Sequence, residues 1–418
     1  DRVAGLTGIA KEEIVALARE YAETRPAAIR LNYGVNRSER GGRAIQAIAY
    51  LPVITGAWKD AGGGLQLSTS QAFHVNRSGL EKPELQLQSA LGREARLLNM
   101  SELGRLLNGE VDPAVHAMVV YNSNPGAIHP DQNSVKRGLR REDLFLAVLE
   151  QFQTDTADYA DIVLPVTTFL EHTDLYFAYG HYYLQLGRPA LAAPGETKSN
   201  VEIFRLLAQR MGFGEACFRE TEDDMIRTAL ASEHPFVKGI TLERLEREHF
   251  VRLNLGDPFL PFREGGFGTS DGRCEFRPET LHYTPPVESR HGDAGLRAKY
   301  PLEMVSSKND NSMNSTFGHR DETDEETALL WMHTADAAPR QIADGDLVRV
   351  FNDRGSVMLQ ASVNGSVAEG VVRAPSVRWP KRSPNGTGIN ALTSPRLTDL
   401  GGSPTFFSCL VQVERCGD

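Results

Sequence analysis

Residues 144–172, LFLAVLEQFQTDTADYADIVLPVTTFLEH, constrain the fold of this chain more than any other stretch. Residues 144–149 are an unbroken apolar run with the length and make-up of a strand buried on both faces. A second candidate buried strand, 160–164, apolar except for Asp161, stops at Pro165, which lacks the N–H that a ladder needs. Between them, Glu150, Gln151, Thr154 and Asp155 crowd the end of the first strand. Ligands of parallel α/β sheets bind at the carboxyl ends of the strands, so a carboxylate, an amide and a hydroxyl placed there can read a polar ligand. Thr154 or Asp155 can equally cap a short helix.

Upstream, residues 11–24 predict an amphipathic helix, with Ile14, Leu17, Ala18 and Tyr21 on one face and Pro26 closing it. A strand over 27–31 runs into the polar cluster Asn32, Tyr33, Gly34, Asn36 and Arg37, and a second helix is expected over 41–58. Residues 116–121 repeat the buried-strand pattern and lead into Asn122-Ser123-Asn124-Pro125-Gly126. Small side chains and a glycine at a strand-to-helix turn let the backbone approach a phosphate or sugar, although Asn-Pro-Gly is also a common turn. A helix reaching Arg140 returns the chain to residue 144. Four strands with helical crossovers predict a doubly wound, mostly parallel α/β sheet. No GxGxxG stands at any strand-to-helix junction, so an ordinary NAD site is the weaker expectation. Helices are expected over 201–211 and 221–231, and a hairpin over 267–276 turning at Asp271-Gly272.

Residues 284–300 are rich in proline and charge and mark a linker between an α/β region, 1–283, and a different region, 301–418. The latter has short β runs at 302–305, 347–351, 357–363, 371–374 and 406–413, which predict a closed or nearly closed β domain. Its loop SSKNDNSMNSTFG offers Lys308, Asn309, Ser312, Asn314 and Thr316 as donors and acceptors, and Trp379, Asn385 and Asn390 can surround a heterocycle. DETDEE, 321–326, fits no calcium loop and reads as a solvated acidic surface.

With 418 residues the chain exceeds what one core usually serves. A net charge of −10 argues against a nucleic-acid partner, because phosphate backbones need a basic face. No apolar stretch approaches the roughly 18 residues of a membrane span, so no direct membrane insertion is expected. The four cysteines, at 217, 274, 409 and 416, have no CxxC spacing, so neither a zinc nor an iron-sulfur site can be argued.

The run EQFQTDTADYADIVLP, continued by TTFLEH and YGHYYLQL, closely resembles the large subunits of the molybdopterin oxidoreductase family, of the dimethyl sulfoxide reductase type. SKNDNSMNSTFG, IADGDLVRVFNDRG and INALTSPRLTDLGG are similar to that family's carboxy-terminal dinucleotide-binding domain, which implies a six-stranded double-psi β-barrel after the α/β region. The resemblance implies a bis(molybdopterin guanine dinucleotide) cofactor carrying molybdenum or tungsten, two-electron redox chemistry on a small-molecule substrate, and an electron-transfer subunit as partner. It assigns Asn122, Ser123, Asn124 and Pro125 to a guanosine or phosphate site and Glu150 to a guanine edge, with Gln151, Thr154 and Asp155 close by. Lys308, Asn309, Ser312, Asn314, Thr316 and Asn390 would face the pterin or its phosphates. His172 and His181, with Tyr179, Tyr182 and Tyr183, would border a substrate funnel, none of them as a catalytic residue. The family's iron-sulfur motif and metal-ligating residue have no counterpart in these 418 residues, so the chain is expected to be the carboxy-terminal portion of a larger subunit, inactive alone, with a cytoplasmic location favoured over a periplasmic one. A non-catalytic scaffold relative and an unrelated nucleotide-binding α/β enzyme remain the alternatives.

Overall fold

The helix Lys11–Glu23 leads into β1 (Ala28–Arg30), as the pattern of residues 11–31 predicts. The computed structural model describes residues 1–277 and 282–417. β1 does not join the sheet of the later strands. It pairs in parallel with β2 (Gly64–Gln66), which is separated from it by the helix Gly41–Ile54. β2 lies in the polar stretch 62–66, whose composition gave no strand signal.

The central sheet holds β3 (Ala117–Tyr121), β4 (Phe145–Glu150) and β5 (Ile162–Pro165), all parallel in the order β3-β4-β5. Between β3 and β4 the chain forms Pro125–Ile128 and Gln132–Leu139. Pro125 suits a first helical position, where a missing N–H costs nothing. Leu107, Val135, Leu139 and Ala157 pack on Val120, Leu146 and Val148 and bury one face of this sheet. On the other face Val119, Tyr121, Phe145 and Ile162 are exposed, so none of β3, β4 and β5 is the strand buried on both faces that its composition suggests.

An antiparallel three-stranded sheet follows: β6 (Asp174–Tyr176), β7 (Tyr183–Gly187) and β8 (Phe250–Arg252). Its core includes Leu184, Val251 and Leu245, with Ile226 from the helix Glu222–Leu230. That helix starts with a capping box in which Thr221 and Asp224 satisfy each other's backbone N–H. The segment expected as a hairpin, 267–276, has no ladder; it is a turn closed by Phe267 N donating to Gly272 O at 3.1 Å.

After 284–300, six strands close a barrel: β9 (Leu302–Val305), β10 (Leu329–Met332), β11 (Leu347–Asn352), β12 (Gly355–Val363), β13 (Val371–Arg373) and β14 (Leu410–Arg415), in the order β10-β12-β11-β14-β9-β13. β10–β12 and β13–β9 are parallel pairs within an otherwise antiparallel ring, the mixed pairing of the expected double-psi barrel. Met304, Leu330, Met332, Val348, Val350 and Val411 fill it with no exposed surface. β10 escaped the sequence pattern because one residue separates it from the acidic helix Asp321–Thr327. β14 starts later than expected, since residues 406–408 form a turn.

The acidic run is not merely solvated. Asp324 pairs with Arg378 at 3.3 Å and Arg382 at 2.6 Å, and Glu326 accepts from Asp310 N at 3.0 Å and Asn311 Nδ2 at 2.9 Å. The helix Asp321–Thr327 therefore braces two loops that enter the site below. The α/β region and the barrel are tied together by Gln132–Leu139: Asn133 Nδ2 donates to Arg354 O, Lys136 Nζ to Gly386 O, and Gln132 Oε1 accepts from Gly388 N.

Candidate functional site

Two neighbouring cavities lie where the carboxyl ends of the central strands meet the barrel loops. The larger, about 580 Å³, is floored by Asn122 and Ser123 after β3, Glu150, Gln151 and Phe152 at the end of β4, and Thr167 after β5. Thr316, His319 and Trp379 close it from the barrel side. This is the crevice position that parallel sheets use for ligands.

Glu150 is half-buried, and burial pushes its carboxyl pKa up while the backbone N–H groups of Gln151 and Phe152 pull it back. Gln151 N donates to its Oε1 at 2.8 Å, leaving acceptor capacity for a ligand. Gln151 Nε2 is spent on Thr167 O at 3.1 Å. The Phe152 ring stacks on His319 at 4.3 Å, bridging the two regions, and His319 Nδ1 is buried without a partner. Trp379 Nε1 donates to Ser315 O at 2.9 Å. A Cβ on Gly318 would collide with the Trp379 indole. Gly318→Ala is therefore expected to displace Trp379 and cost about 1–3 kcal/mol through overpacking. Thermal unfolding and tryptophan emission check this; an unshifted melting curve would rule the contact out as a constraint.

The NSNPG turn is held from behind. Asn122 takes a left-handed backbone, φ 53°, which asparagine tolerates, and its Oδ1 accepts from Asn200 Nδ2 at 3.0 Å. Asn124 is buried: its Oδ1 accepts from Thr156 Oγ1 at 2.7 Å and Thr156 N at 3.1 Å, while its Nδ2 has no partner. Gly126 N donates to Thr156 Oγ1 at 2.9 Å, and a Cβ on Gly126 would crowd that oxygen at 3.2 Å. Thr154 Oγ1 accepts from Ala157 N at 3.3 Å, closing the turn before the short helix Ala157–Tyr159, whose N-cap position is Thr156. Asp155 is buried and reaches across to the barrel side, where its Oδ1 accepts from Lys381 N at 2.8 Å. Burial raises its pKa; the Lys381 N–H and the charges of Lys381 and Lys136 lower it. Asn124, Pro125 and Asp155 thus shape the turn from inside rather than line the larger cavity.

The smaller cavity, about 210 Å³, lies between Arg37, His129, Lys308, Asn314, Ser376 and Asn390. Lys308 Nζ is hydrogen-bonded to Asn314 Oδ1, and its pKa is pushed down to about 8, first by burial and then by Arg37. Asn390, 3% exposed, donates to Ala127 O at 3.0 Å. Asn309 is buried inside its own loop: its Oδ1 accepts from Ser312 N at 2.8 Å and its Nδ2 donates to Ser376 O at 2.6 Å. Asn309 and Ser312 therefore fix the loop that presents Lys308 and Asn314.

Arg37, His129, Phe152 and His319 were not singled out as site residues from sequence. Arg37 carried a usable signal, being in the polar cluster after β1, and His129 follows the NSNPG turn closely. His172 reaches the larger cavity, with Nδ1 at 2.9 Å from Thr167 Oγ1, whereas Tyr182 packs into the antiparallel-sheet core. His181 bonds its own neighbour, Tyr183 N, at 3.2 Å, and Tyr179 faces Tyr33 with ring centroids 6.1 Å apart.

Residues 11–210 match the family described as Molybdopterin oxidoreductase, and residues 302–410 match the Molydopterin dinucleotide binding domain. The chain is 37% identical over 427 residues to the probable oxidoreductase YoaE of Bacillus subtilis (strain 168), covering 99% of this chain and 60% of that protein. It is 27% identical over 460 residues to the dimethyl sulfoxide reductase DmsA of Escherichia coli (strain K12), covering 98% and 56%. Among solved structures, acetylene hydratase from Pelobacter acetylenicus superposes with a TM-score of 0.77 at 22% identity, over 100% of this chain and 64% of that one, a likeness of fold. The chain belongs to the molybdopterin oxidoreductase family, of the dimethyl sulfoxide reductase type. It spans about three fifths of the length of the curated relatives it matches.

Proposed function

We propose that this chain builds a guanine-dinucleotide site for a bis(molybdopterin guanine dinucleotide) cofactor, with molybdenum or tungsten, in the catalytic subunit of an oxidoreductase. One observation carries the reading: the two cavities are lined from the same three stretches of chain, residues 122–130, 314–319 and 376–379, so one elongated ligand lying across both would meet each stretch. The chemistry of the two ends fits such a cofactor. A carboxylate with free acceptor capacity suits the adjacent N–H donors of guanine, and a basic cavity suits phosphate. Two buried ring nitrogens, Nδ1 of His319 and Nδ1 of His129, have no hydrogen-bond partner at the two ends.

In this reading Glu150 orients the base, Phe152, His319 and Trp379 give it an apolar wall, and Asn122 and Ser123 contact the ribose. Lys308, Asn314 and Asn390 hold the phosphate or pterin end, while Asn124, Asp155, Asn309 and Ser312 keep those groups in place. When bound, the cofactor supplies two-electron redox chemistry at its metal, and the chain's residues bind it, orient it and exclude water. The whole protein's small-molecule substrate and an electron-transfer subunit belong to the same proposal, as does the inactivity of this chain alone. Among the described residues no helix is long and apolar enough to cross a membrane.

Titration of guanosine monophosphate against adenosine monophosphate tests the base assignment. Guanine preference is expected, and equal affinity would count against Glu150. The preference also carries a pH signature. Only ionised Glu150 accepts both guanine donors, and its folded pKa is raised, so guanine affinity is expected to fall as pH drops through that raised value and to level off above it. Calorimetric titrations on the acid side of neutrality check this; a flat profile would place the base elsewhere.

A further inference from the structure

We propose that residues 69–76 form an acid-sensitive strap, in which the stacked rings of His74 and His234 are a latch that opens on protonation and frees the turn 177–182 at the edge of the site. The inference stands apart from the dinucleotide reading. The strap is a short helical turn, Ser70–Ala72, continued by irregular chain that joins no ladder. At its first end Thr69 N donates to Tyr179 O at 3.0 Å, and Thr69 Oγ1 lies 2.8 Å from Ala178 O and 3.0 Å from His181 O. In its middle the buried Phe73 stacks on Phe177, with ring centroids 5.2 Å apart. The strap therefore holds the turn 177–182 between β6 and β7. That turn reaches the site through Tyr179, which faces Tyr33. The Tyr33 carbonyl accepts from Nε of Arg37 at 3.0 Å, and Arg37 lines the smaller cavity.

The other end is fastened to the segment after the helix Glu222–Leu230. The His74 and His234 rings stack with centroids 3.6 Å apart and planes 19° from parallel. Ser232 Oγ donates to His74 O at 2.6 Å, and Asn76 N donates to Ala229 O at 2.8 Å. His234 Nδ1 accepts from Phe236 N at 3.2 Å, so that nitrogen carries a lone pair and the neutral ring is the form that fits. Protonation turns Nδ1 into a donor facing another N–H, and charges on both stacked rings repel each other. His234 is the one charged group that acts on His74. Glu233 is turned to Lys238 at 2.7 Å, and Arg77, on the strap's own side, is an exposed cation. On the adjoining helix Glu222 pairs with Arg205, Asp223 with Arg188, and Asp224 accepts from Thr221 Oγ1. Phe236, the third ring against the pair, is uncharged. Burial first and His234 second pull the His74 pKa below its ordinary value. The latched form thus holds fewer protons than the open one, so the latch is intact above the ordinary histidine value of about 6.5 and weakens as pH falls below it.

Hydrogen exchange of the full chain, read by mass spectrometry across the histidine range and corrected for the intrinsic exchange rate at each pH, tests the strap. Protection over 69–76 is expected to be constant above about pH 6.5 and to fall below it by up to about tenfold per pH unit, the most that one extra proton on the open form produces. Protection over 177–182 is expected to fall in step. His234→Asn keeps an acceptor for the N–H two residues on but does not titrate, and His234→Phe keeps the ring contact instead. Each is expected to flatten the profile over both segments, and either suffices if the other does not fold. A flat wild-type profile, or an acid loss that survives in a folded variant, would overturn the proposal. Loss over 69–76 with 177–182 still protected would overturn the coupling of the latch to the turn.

Discussion

Glu288→Ala is expected to destabilise the chain by about 3–5 kcal/mol, the cost of leaving one partner of a buried ion pair alone. Glu288 is 5% exposed and sits in the connection between the two regions. Arg354, at the turn between β11 and β12, meets it with two parallel hydrogen bonds of 2.7 Å each. Arg354 Nε donates to Leu392 O at 2.8 Å, and Glu288 also accepts from Leu410 N at 3.2 Å, so one carboxylate and one guanidinium tie the connection to the barrel wall. Cys409 lies against the same guanidinium, 3.8 Å from Nη2, with burial pushing its thiol up to about 12, so it stays a neutral thiol there. Urea unfolding of the wild type, Glu288→Ala and the double replacement Glu288→Leu with Arg354→Met measures the effect. The double variant should recover much of the loss, since apolar pairs often replace buried ion pairs at little cost. A single-variant loss below about 1 kcal/mol would mean that the pair is solvated and weak.

Glu150→Gln is expected to lower the affinity for guanosine monophosphate by about 10- to 100-fold, equivalent to a charge-assisted hydrogen bond of roughly 1.5–3 kcal/mol. The amide keeps the shape of the carboxyl but presents one acceptor and one donor to two guanine donors. Adenosine monophosphate, which presents no such pair of donors, should be little affected. The variant should fold normally. Glu150 is half-buried with a raised pKa, so a neutral replacement removes a desolvation penalty rather than a stabilising partner. Equal losses for both nucleotides would show that the substitution perturbed the cavity and not the recognition of guanine.

The strands β3 and β4, the polar cluster at their ends and the change of character after residue 300 were legible because each rests on local pattern: apolar runs, turn residues and strand length. Less legible was which polar residues face a ligand and which hold the scaffold. Asn122 and Asn124 are two positions apart and chemically identical, yet the first lines the cavity and the second is buried against Thr156. Asn309 likewise spends its amide on Ser312 and Ser376, while Lys308 beside it lines the cavity. That division is set by partners far away in sequence, which period and propensity do not report. The same holds for the site itself. Phe152 meets His319, Asp155 meets Lys381, and Arg37 approaches Lys308, each pair joining segments more than a hundred residues apart. β10 shows the limit at the level of elements, a four-residue strand hidden directly behind a helix.

Native mass spectrometry of the purified chain, with guanosine diphosphate added, tests the central claim most directly. A mass above the 46.0 kDa of the polypeptide, from retained cofactor or added nucleotide, with guanine nucleotide released on denaturation, is the result that a dinucleotide site spanning the sheet and the barrel predicts. A peak that stays at 46.0 kDa at saturating guanosine diphosphate, and releases no guanine nucleotide, would contradict it.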